Sequence, residues 1–246
     1  MDYNGLMSTI AIILAAGSGD RFGDHLPKQF QKIAGRSLLE ICLERFQEHP
    51  GIDGIVLVCP AAHLHLVEKT AAAGRFAKVK NILPGGETRQ ESSFIGVSTA
   101  PAGIKNVLIH DAARALVAPA VISRVLAALA ADMAVITALP AGDTIVRVDN
   151  AAMITAVLDR AKLSLAQTPQ GFRLDIIRQA HELARADGFS NASDDCSLVL
   201  RYKLAPVVTV LGDPTNIKIT YPQDLAVAEA ILGVRGSKFD VQIINR

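Results

Sequence analysis

The sequence predicts an α/β fold in which a mostly parallel sheet is flanked by helices. Half of the 246 residues are hydrophobic and only 4% are aromatic, which suits parallel strands buried on both faces. Short β-branched runs also alternate with helical patterns along the chain. We find no internal repeat or low-complexity linker, so we predict one domain over residues 1–235, followed by a C-terminal tail over residues 236–246.

The elements follow from local patterns. Ser37 and Glu40 form a capping box, which starts a helix whose apolar stripe reaches Phe46 before Pro50 stops it. A second helix start is expected after the glycines at 85 and 86. Further helices are predicted over residues 63–73, 119–131, 175–185, 194–202 and 222–232. Strands are predicted over residues 10–16, 54–59, 79–83, 106–109, 133–139 and 207–211, with a short one at the end of residues 213–220.

The regular alternation breaks at about residues 141–162, which we call the arm. Two short apolar runs around a turn at 149–151 predict a hairpin within it. An exposed apolar hairpin is a liability unless something covers it, and a symmetric partner would do so. We therefore expect a β-arm that projects from the domain and a homodimer.

Charge and cysteine content limit the partners and the compartment. The formal net charge is +1, so no large field attracts nucleic acid or an anionic membrane. The cysteines Cys42, Cys59 and Cys196 have no metal-type spacing and are expected to be reduced thiols. The first nine residues lack a signal-peptide layout, and no apolar run could span a bilayer. A cytoplasmic protein is expected.

The turn after the first strand predicts a nucleotide site. Residues 14–23 read LAAGSGDRFG, followed by Pro27-Lys28-Gln29. Glycines let backbone N–H groups approach an anion, and Arg21 and Lys28 add positive charge beside them. The third glycine is one position late for a dinucleotide fingerprint, and no Walker A spacing occurs. The alternative is a tight surface loop with two solvated cations.

Two later segments are further candidates. Residues 84–92, PGGETRQES, predict a helix N-terminus that favours anions or polar base edges; the alternative is a plain turn. Asp111 and Arg114 follow the strand over 106–109, at the sheet edge where open α/β proteins bind ligands. They could equally form a simple ion pair within the loop.

Taken together, these segments resemble the 2-C-methyl-D-erythritol 4-phosphate cytidylyltransferase family. The resemblance rests on Ala15-Ala16-Gly17-x-Gly19-x-Arg21-Phe22-Gly23 with Pro27-Lys28-Gln29-Phe30, then His110-Asp111-Ala112-Ala113-Arg114, Gln167-Thr168-Pro169-Gln170 and Asn216-Ile217-Lys218, in that order. It implies a Rossmann-like nucleotidyltransferase domain, a dimer with an interlocking arm, and Mg²⁺ or another divalent cation. The implied reaction joins the CMP of CTP to methylerythritol phosphate, a polyol phosphate, and releases pyrophosphate.

The resemblance also implies residue roles. The residues implied to act in catalysis are Arg21 and Lys28 at the α-phosphate, with Arg160, from the partner, and Lys218 at the substrate phosphate. Those implied to line the sugar-phosphate pocket are Asp111, Arg114, Thr144 and Thr168. Those implied to hold the cytidine are Ala15, Ala16, Gly17, Gly86, Glu87 and Ser92. No metal ligands are assigned from the sequence.

Two alternatives to this reaction stay open. A cytidylyltransferase for another polyol phosphate, such as ribitol 5-phosphate, would share most of these motifs. A catalytically silent nucleotide-binding protein that regulates a partner is the second, and Arg21, Lys28, Arg160 and Lys218 argue against it. The chain has no histidine–carboxylate pair that would activate a nucleophile, and an anionic phosphate nucleophile needs none.

Overall fold

A computed structural model of the protein describes residues 8–17, 22, 27–72 and 76–236. The helices are α1 (Leu38–Glu48), α2 (Leu64–Ala72), α3 (Arg89–Ser98), α4 (Pro119–Ala128), α5 (Leu174–Ala186), α6 (Asp195–Arg201) and α7 (Gln223–Gly236). The strands are β1 (Thr9–Leu14), β2 (Lys32–Ile33), β3 (Arg36–Ser37), β4 (Gly54–Cys59), β5 (Val79–Pro84), β6 (Asn106–Asp111), β7 (Ala134–Pro140), β8 (Val146–Val148), β9 (Ile154–Val157), β10 (Ser164–Arg173) and β11 (Val207–Leu211).

One seven-stranded sheet organises these elements, in the order β11-β7-β10-β6-β1-β4-β5. All neighbouring pairs are parallel except those of β10, which runs antiparallel to both β6 and β7. Leu14 pairs with Val58 on one side and with Asp111 on the other. The carboxyl ends of β1, β4 and β6 therefore lie together, where open α/β sheets bind ligands.

Helices cover both faces of the sheet, and alternate residues of β1 point into the two layers. Ala11 and Ile13 pack into the core beneath α1, α2, α4 and α7, whereas Ile10 and Ile12 pack beneath α3, α5 and α6. This two-residue alternation is the geometry of a strand buried on both sides. The predicted mostly parallel α/β fold is confirmed.

Local signals placed several helix starts correctly. The Ser37 hydroxyl accepts a hydrogen bond from the Glu40 backbone N–H, and the Glu40 carboxylate accepts one from the Ser37 N–H at 2.8 Å, which is the predicted capping box. The Thr88 side chain accepts a hydrogen bond from the Glu91 N–H at the start of α3, and the Asp194 side chain accepts one from the Ser197 N–H at the start of α6. The three cysteines are buried and unpaired, as expected.

The sequence patterns missed the two short strands β2 and β3 and the long strand β10, and they predicted one strand that does not form. β10 was not predicted as a strand, because its middle is polar and its pairing with β7 is interrupted between Gln167 and Gln170; the Thr168–Pro169 peptide bond there is cis. The short strand expected at the end of residues 213–220 is wrong. Those residues form no ladder, and the Ile219 N–H instead bonds the Ala113 carbonyl.

The arm contains the predicted hairpin as a separate two-stranded sheet of β8 and β9. Its apolar side chains are open to solvent: Val148 is 55% exposed, Ile154 63% and Val157 68%. An exposed apolar hairpin of this kind favours association with another chain. The homodimer stays a prediction. Within the described ranges, no helix combines the length and the apolar character that crossing a membrane requires.

Candidate active site

A pocket of about 480 Å³ opens at the carboxyl edge of the sheet, between the turn after β1, the start of α3, the end of β6 and the segment before α7. It gathers most of the predicted site residues: Ala15, Ala16, Gly17, Lys28, Gly86, Glu87, Ser92, Asp111 and Lys218. Arg21, Gly19 and Gly23 lie outside the described residues. Segments more than 190 residues apart in sequence thus meet at one site, and Lys28 Nζ donates to the Ile219 carbonyl at 3.0 Å.

The turn after β1 is held by its neighbours. The Ala15 N–H bonds the Val58 carbonyl at 2.7 Å, and the buried Gln29 amide donates to the Ala15 carbonyl at 2.6 Å. Gly17 has no positive φ, and no described atom lies within 4 Å of the place that a Cβ would take there. Glycine is sterically required at residue 85, because a Cβ there would lie 2.3 Å from the Cβ of Ala16.

The N-terminus of α3 forms the opposite wall. Thr88 and Arg89 line the pocket, and the Gly86 N–H donates to the Ser92 hydroxyl at 3.2 Å. The Glu87 N–H donates to the Glu91 carboxylate at 2.8 Å. Helix N-termini carry partial positive charge, so this wall adds to the field of the lysines and suits an anionic ligand.

Asp111 pairs with two of the cations that line the pocket, Arg89 and Lys218. Its Oδ1 accepts from Arg89 Nε at 3.1 Å, and its Oδ2 lies 2.9 Å from Lys218 Nζ. Burial would raise the pKa of this carboxyl, but Arg89 and then Lys218 outweigh burial and hold the pKa well below its ordinary value. Asp111 is therefore ionised at neutral pH.

Arg114 and Thr168 lie behind the pocket. The Arg114 guanidinium donates to the carbonyls of Asn216 at 2.8 Å and Ala166 at 3.1 Å, so it ties β10 to the segment before α7 and does not form the considered ion pair with Asp111. The buried Thr168 hydroxyl accepts from the Asp111 N–H at 3.1 Å and lies 3.0 Å from His110 Nδ1. Burial lowers the pKa of His110 to about 4, which keeps this imidazole neutral near pH 7.

Thr144 and Arg160 lie on the arm, outside the pocket of their own chain. Thr144 is exposed, and Arg160 donates to the Gly142 carbonyl at 3.1 Å. Of the four predicted catalytic cations, the structure brings Lys28 and Lys218 together. Arg160 does not line the pocket of its own chain.

Sequence reasoning missed two charged residues, Arg89 and Asp195. Arg89 bridges Asp111 and Asp195, with its Nη1 2.8 Å from Asp195 Oδ2. The partners are 106 residues apart, so no local spacing reveals the pairing. The available signal was an arginine at the first position of α3, where the helix dipole disfavours a cation and a specific partner is needed to hold it.

Comparison with known proteins shows the family. The model of the family IspD, 2-C-methyl-D-erythritol 4-phosphate cytidylyltransferase, matches residues 9–234. A relative of that name from Thermobifida fusca is 44% identical over 90% of this chain and 92% of its own. The bifunctional ribulose 5-phosphate reductase/CDP-ribitol pyrophosphorylase Bcs1 of Haemophilus influenzae is 39% identical over 96% of this chain, but the match covers only 50% of that protein.

Solved structures agree with the sequence comparison. The crystal structure of 4-diphosphocytidyl-2C-methyl-D-erythritol synthase from Anaerococcus prevotii superposes with a TM-score of 0.83 and 28% identity, over 92% of this chain and 96% of that one. The fold, the pocket and the sequence motifs agree with these matches. The chain belongs to the 2-C-methyl-D-erythritol 4-phosphate cytidylyltransferase family and is thus an enzyme of the nucleotidyltransferase class.

Proposed function

We propose that this cytidylyltransferase transfers CMP from CTP to 2-C-methyl-D-erythritol 4-phosphate, giving 4-diphosphocytidyl-2-C-methyl-D-erythritol and pyrophosphate, in non-mevalonate isoprenoid biosynthesis. The observation that carries the proposal is that Lys28, Lys218 and Asp111 line one pocket with the small-residue turn after β1 and the start of α3. That arrangement suits two phosphorylated ligands. The cytoplasm is the proposed location.

The chemistry follows from the charges. The nucleophile is a phosphate monoester oxygen, which is already anionic, so its attack requires no general base. The difficulty is to bring one anion onto another, and catalysis depends on charge neutralisation and alignment. Consistent with this, the described lining of the pocket includes no histidine and no cysteine.

The pocket divides into three regions in this proposal. The backbone at residues 15–17, with Gly86, Glu87 and Ser92, holds the cytidine. Lys28, with Arg21, neutralises the triphosphate around the α-phosphorus that is attacked. Lys218 binds the phosphate of the polyol phosphate and Asp111 faces its polyol part, with Arg114 and Thr168 supporting that wall from behind.

A second copy of the chain completes the site. The arm carries Thr144 and Arg160 away from the pocket of its own chain and exposes apolar side chains that a symmetric partner would cover. In the proposed homodimer, Arg160 of each arm enters the other chain's pocket and binds the polyol phosphate with a guanidinium fork.

A divalent cation, with Mg²⁺ the expected one, fits the pocket as a ligand of the triphosphate. The carboxylates that line the pocket are Asp111 and Glu87, and no cluster of three or more His, Cys, Asp or Glu suited to a metal occurs in the described part of the chain. Mg²⁺ typically takes one or two carboxylates and completes its shell with phosphate oxygens and water. Both oxygens of Asp111 are already paired, with Arg89 and Lys218, so the ion would be held mainly by phosphate oxygens and water and would supply positive charge at the triphosphate.

Ribitol 5-phosphate is the competing acceptor, because a relative 39% identical to this chain is named a CDP-ribitol pyrophosphorylase. A pyrophosphate-release assay that crosses CTP, UTP and ATP with the two polyol phosphates separates the candidates. We expect CTP with methylerythritol phosphate to give the highest kcat/KM. Faster turnover of ribitol 5-phosphate would replace the proposed acceptor, and no release with any pair would favour a catalytically silent protein.

A further inference from the structure

We propose, on the basis of the function above, that Arg89 is a positioning residue. Asp195 holds Arg89 in place, and Arg89 keeps Asp111 paired and oriented. Lys218 can then leave the Asp111 carboxylate and bind a substrate phosphate. Sequence reasoning gave no role to Arg89 or Asp195, and the pairing emerges only from the folded arrangement.

The two cations on Asp111 differ in mobility. Arg89 Nε bonds Oδ1 at 3.1 Å, and Lys218 Nζ lies 2.9 Å from Oδ2. The Lys218 side chain is 44% exposed, whereas that of Arg89 is 24% exposed. A lysine is a compact charge on a flexible stem. Lys218 is therefore the partner that can move to a ligand, and Arg89 is the one that stays.

Asp195 fixes Arg89 from the far side. This carboxylate is 1% exposed, accepts from Arg89 Nη1 at 2.8 Å and accepts a short hydrogen bond from the Ser93 hydroxyl. His181 Nε2 lies 3.4 Å from its second oxygen. Burial would raise the pKa of Asp195, but Arg89 outweighs burial and the pKa falls to about 2. The anchor is charged at any pH at which the enzyme would be assayed.

A guanidinium is suited to this bridge. Its planar donors can serve two carboxylates at once, and here Nε faces Asp111 while Nη1 faces Asp195. Without Arg89, Asp111 would be paired with Lys218 alone. Moving Lys218 to a phosphate would then leave a buried carboxylate unpaired, which is strongly unfavourable. Arg89 removes this conflict because it pairs with Asp111 throughout the exchange.

The other groups near Asp111 leave Arg89 and Lys218 as the main determinants of its ionisation. The ionisable or charged groups that face it are Arg89, Lys218, His110, Arg114 and Cys42. His110 is neutral above about pH 4, and burial raises the pKa of the Cys42 thiol, which keeps it protonated. Arg114 donates to two carbonyls and not to Asp111. Loss of Arg89 should therefore raise the pKa of Asp111.

A carboxyl ¹³C NMR titration of the ligand-free full chain tests the pairing, with the Asp111 signal assigned by its loss in Asp111→Asn. In Arg89→Gln, we expect the Asp111 midpoint to rise by about 1–3 pH units. The matched control is Arg201→Gln, which breaks an exposed pair with Asp187 and should leave Asp111 unchanged. An Asp111 titration that Arg89→Gln does not move overturns the proposal.

Arg89→Gln leaves Asp195 without its cation and can fail to fold. The double variant Arg89→Gln/Asp195→Asn removes both charges of that pair, which is better tolerated than removing one. It must show the same rise in the Asp111 titration midpoint.

Steady-state kinetics of the Arg89 variants test the movement of Lys218 from Asp111 to the substrate. We expect the KM for the polyol phosphate to rise about tenfold or more. A shifted titration with an unchanged KM overturns the exchange. A wild-type chain that releases no pyrophosphate refutes the proposed function, and the titration still tests the pairing.

Discussion

Replacing Lys28 by methionine is expected to lower kcat by about 10²–10³-fold, the range seen when one preorganised electrostatic donor is removed from a catalytic site. Lys28 lines the pocket beside the turn after β1, and its ammonium is held by the Ile219 carbonyl, one residue beyond Lys218. Methionine keeps most of the side chain's length but removes the charge that we propose neutralises the triphosphate. Steady-state pyrophosphate release from CTP and methylerythritol phosphate measures the loss.

Lys32→Met is the matched control. Lys32 lies four residues further along the chain, is exposed in the short strand β2 and does not line the pocket. It should keep wild-type kcat. Thermal unfolding of both variants shows whether each is folded, since the Lys28 change removes at least the charged hydrogen bond to the Ile219 carbonyl and should cost about 1.5–3 kcal/mol. Undiminished pyrophosphate release by folded Lys28→Met would contradict the role of Lys28.

Replacing Arg160 by alanine is expected to lower kcat/KM for the polyol phosphate by 30-fold or more, about 2 kcal/mol, although Arg160 lies outside the pocket of its own chain. The sharper result comes from mixing two inactive variants. In a hybrid dimer of Arg160→Ala and Lys28→Met chains, one site combines an intact Lys28 with an intact Arg160 from the other chain. Equal mixing with free exchange should restore about a quarter of wild-type activity.

The control for this experiment is a mixture of Arg160→Ala with the double variant Lys28→Met/Arg160→Ala. That mixture contains no intact Arg160, so its activity should not exceed that of Arg160→Ala alone. If the first mixture regains nothing while light scattering shows dimers and native mass spectrometry shows hybrid dimers, Arg160 does not act across a dimer interface. A monomer in solution would refute the dimer as well.

The fold was largely predictable because its signals are local. The predicted strand over 54–59 has the same bounds as β4, and Ser37 caps α1 through the predicted box. Buried parallel strands read as short apolar runs, and helices start at side chains that bond their own first turn. The same local signals placed Lys28, Asp111 and Lys218 at strand ends or in the segments that follow them, which is why they meet at one edge of the sheet.

What the sequence could not show depends on long-range pairing. β10 carries buried polar side chains, and its Gln170 bonds Asp194 and the Cys196 N–H, so it lacks the apolar pattern of a strand. The bridge from Asp111 through Arg89 to Asp195 joins β6, α3 and α6. No local pattern in the sequence links its three members, which are up to 106 residues apart. Such contacts become visible only when the packing of the helices on the sheet is known.

The pH dependence of kcat/KM for the polyol phosphate tests most directly whether catalysis proceeds without a proton-removing residue. Asp111 is ionised at neutral pH and His110 is neutral above about pH 4, so neither group titrates near neutrality. The substrate phosphate loses its second proton near pH 6. We predict a rise around pH 6, set by the substrate, and a plateau from about pH 7 to 9. A rate that climbs tenfold per pH unit through pH 7–8 would reveal a required base and contradict the account.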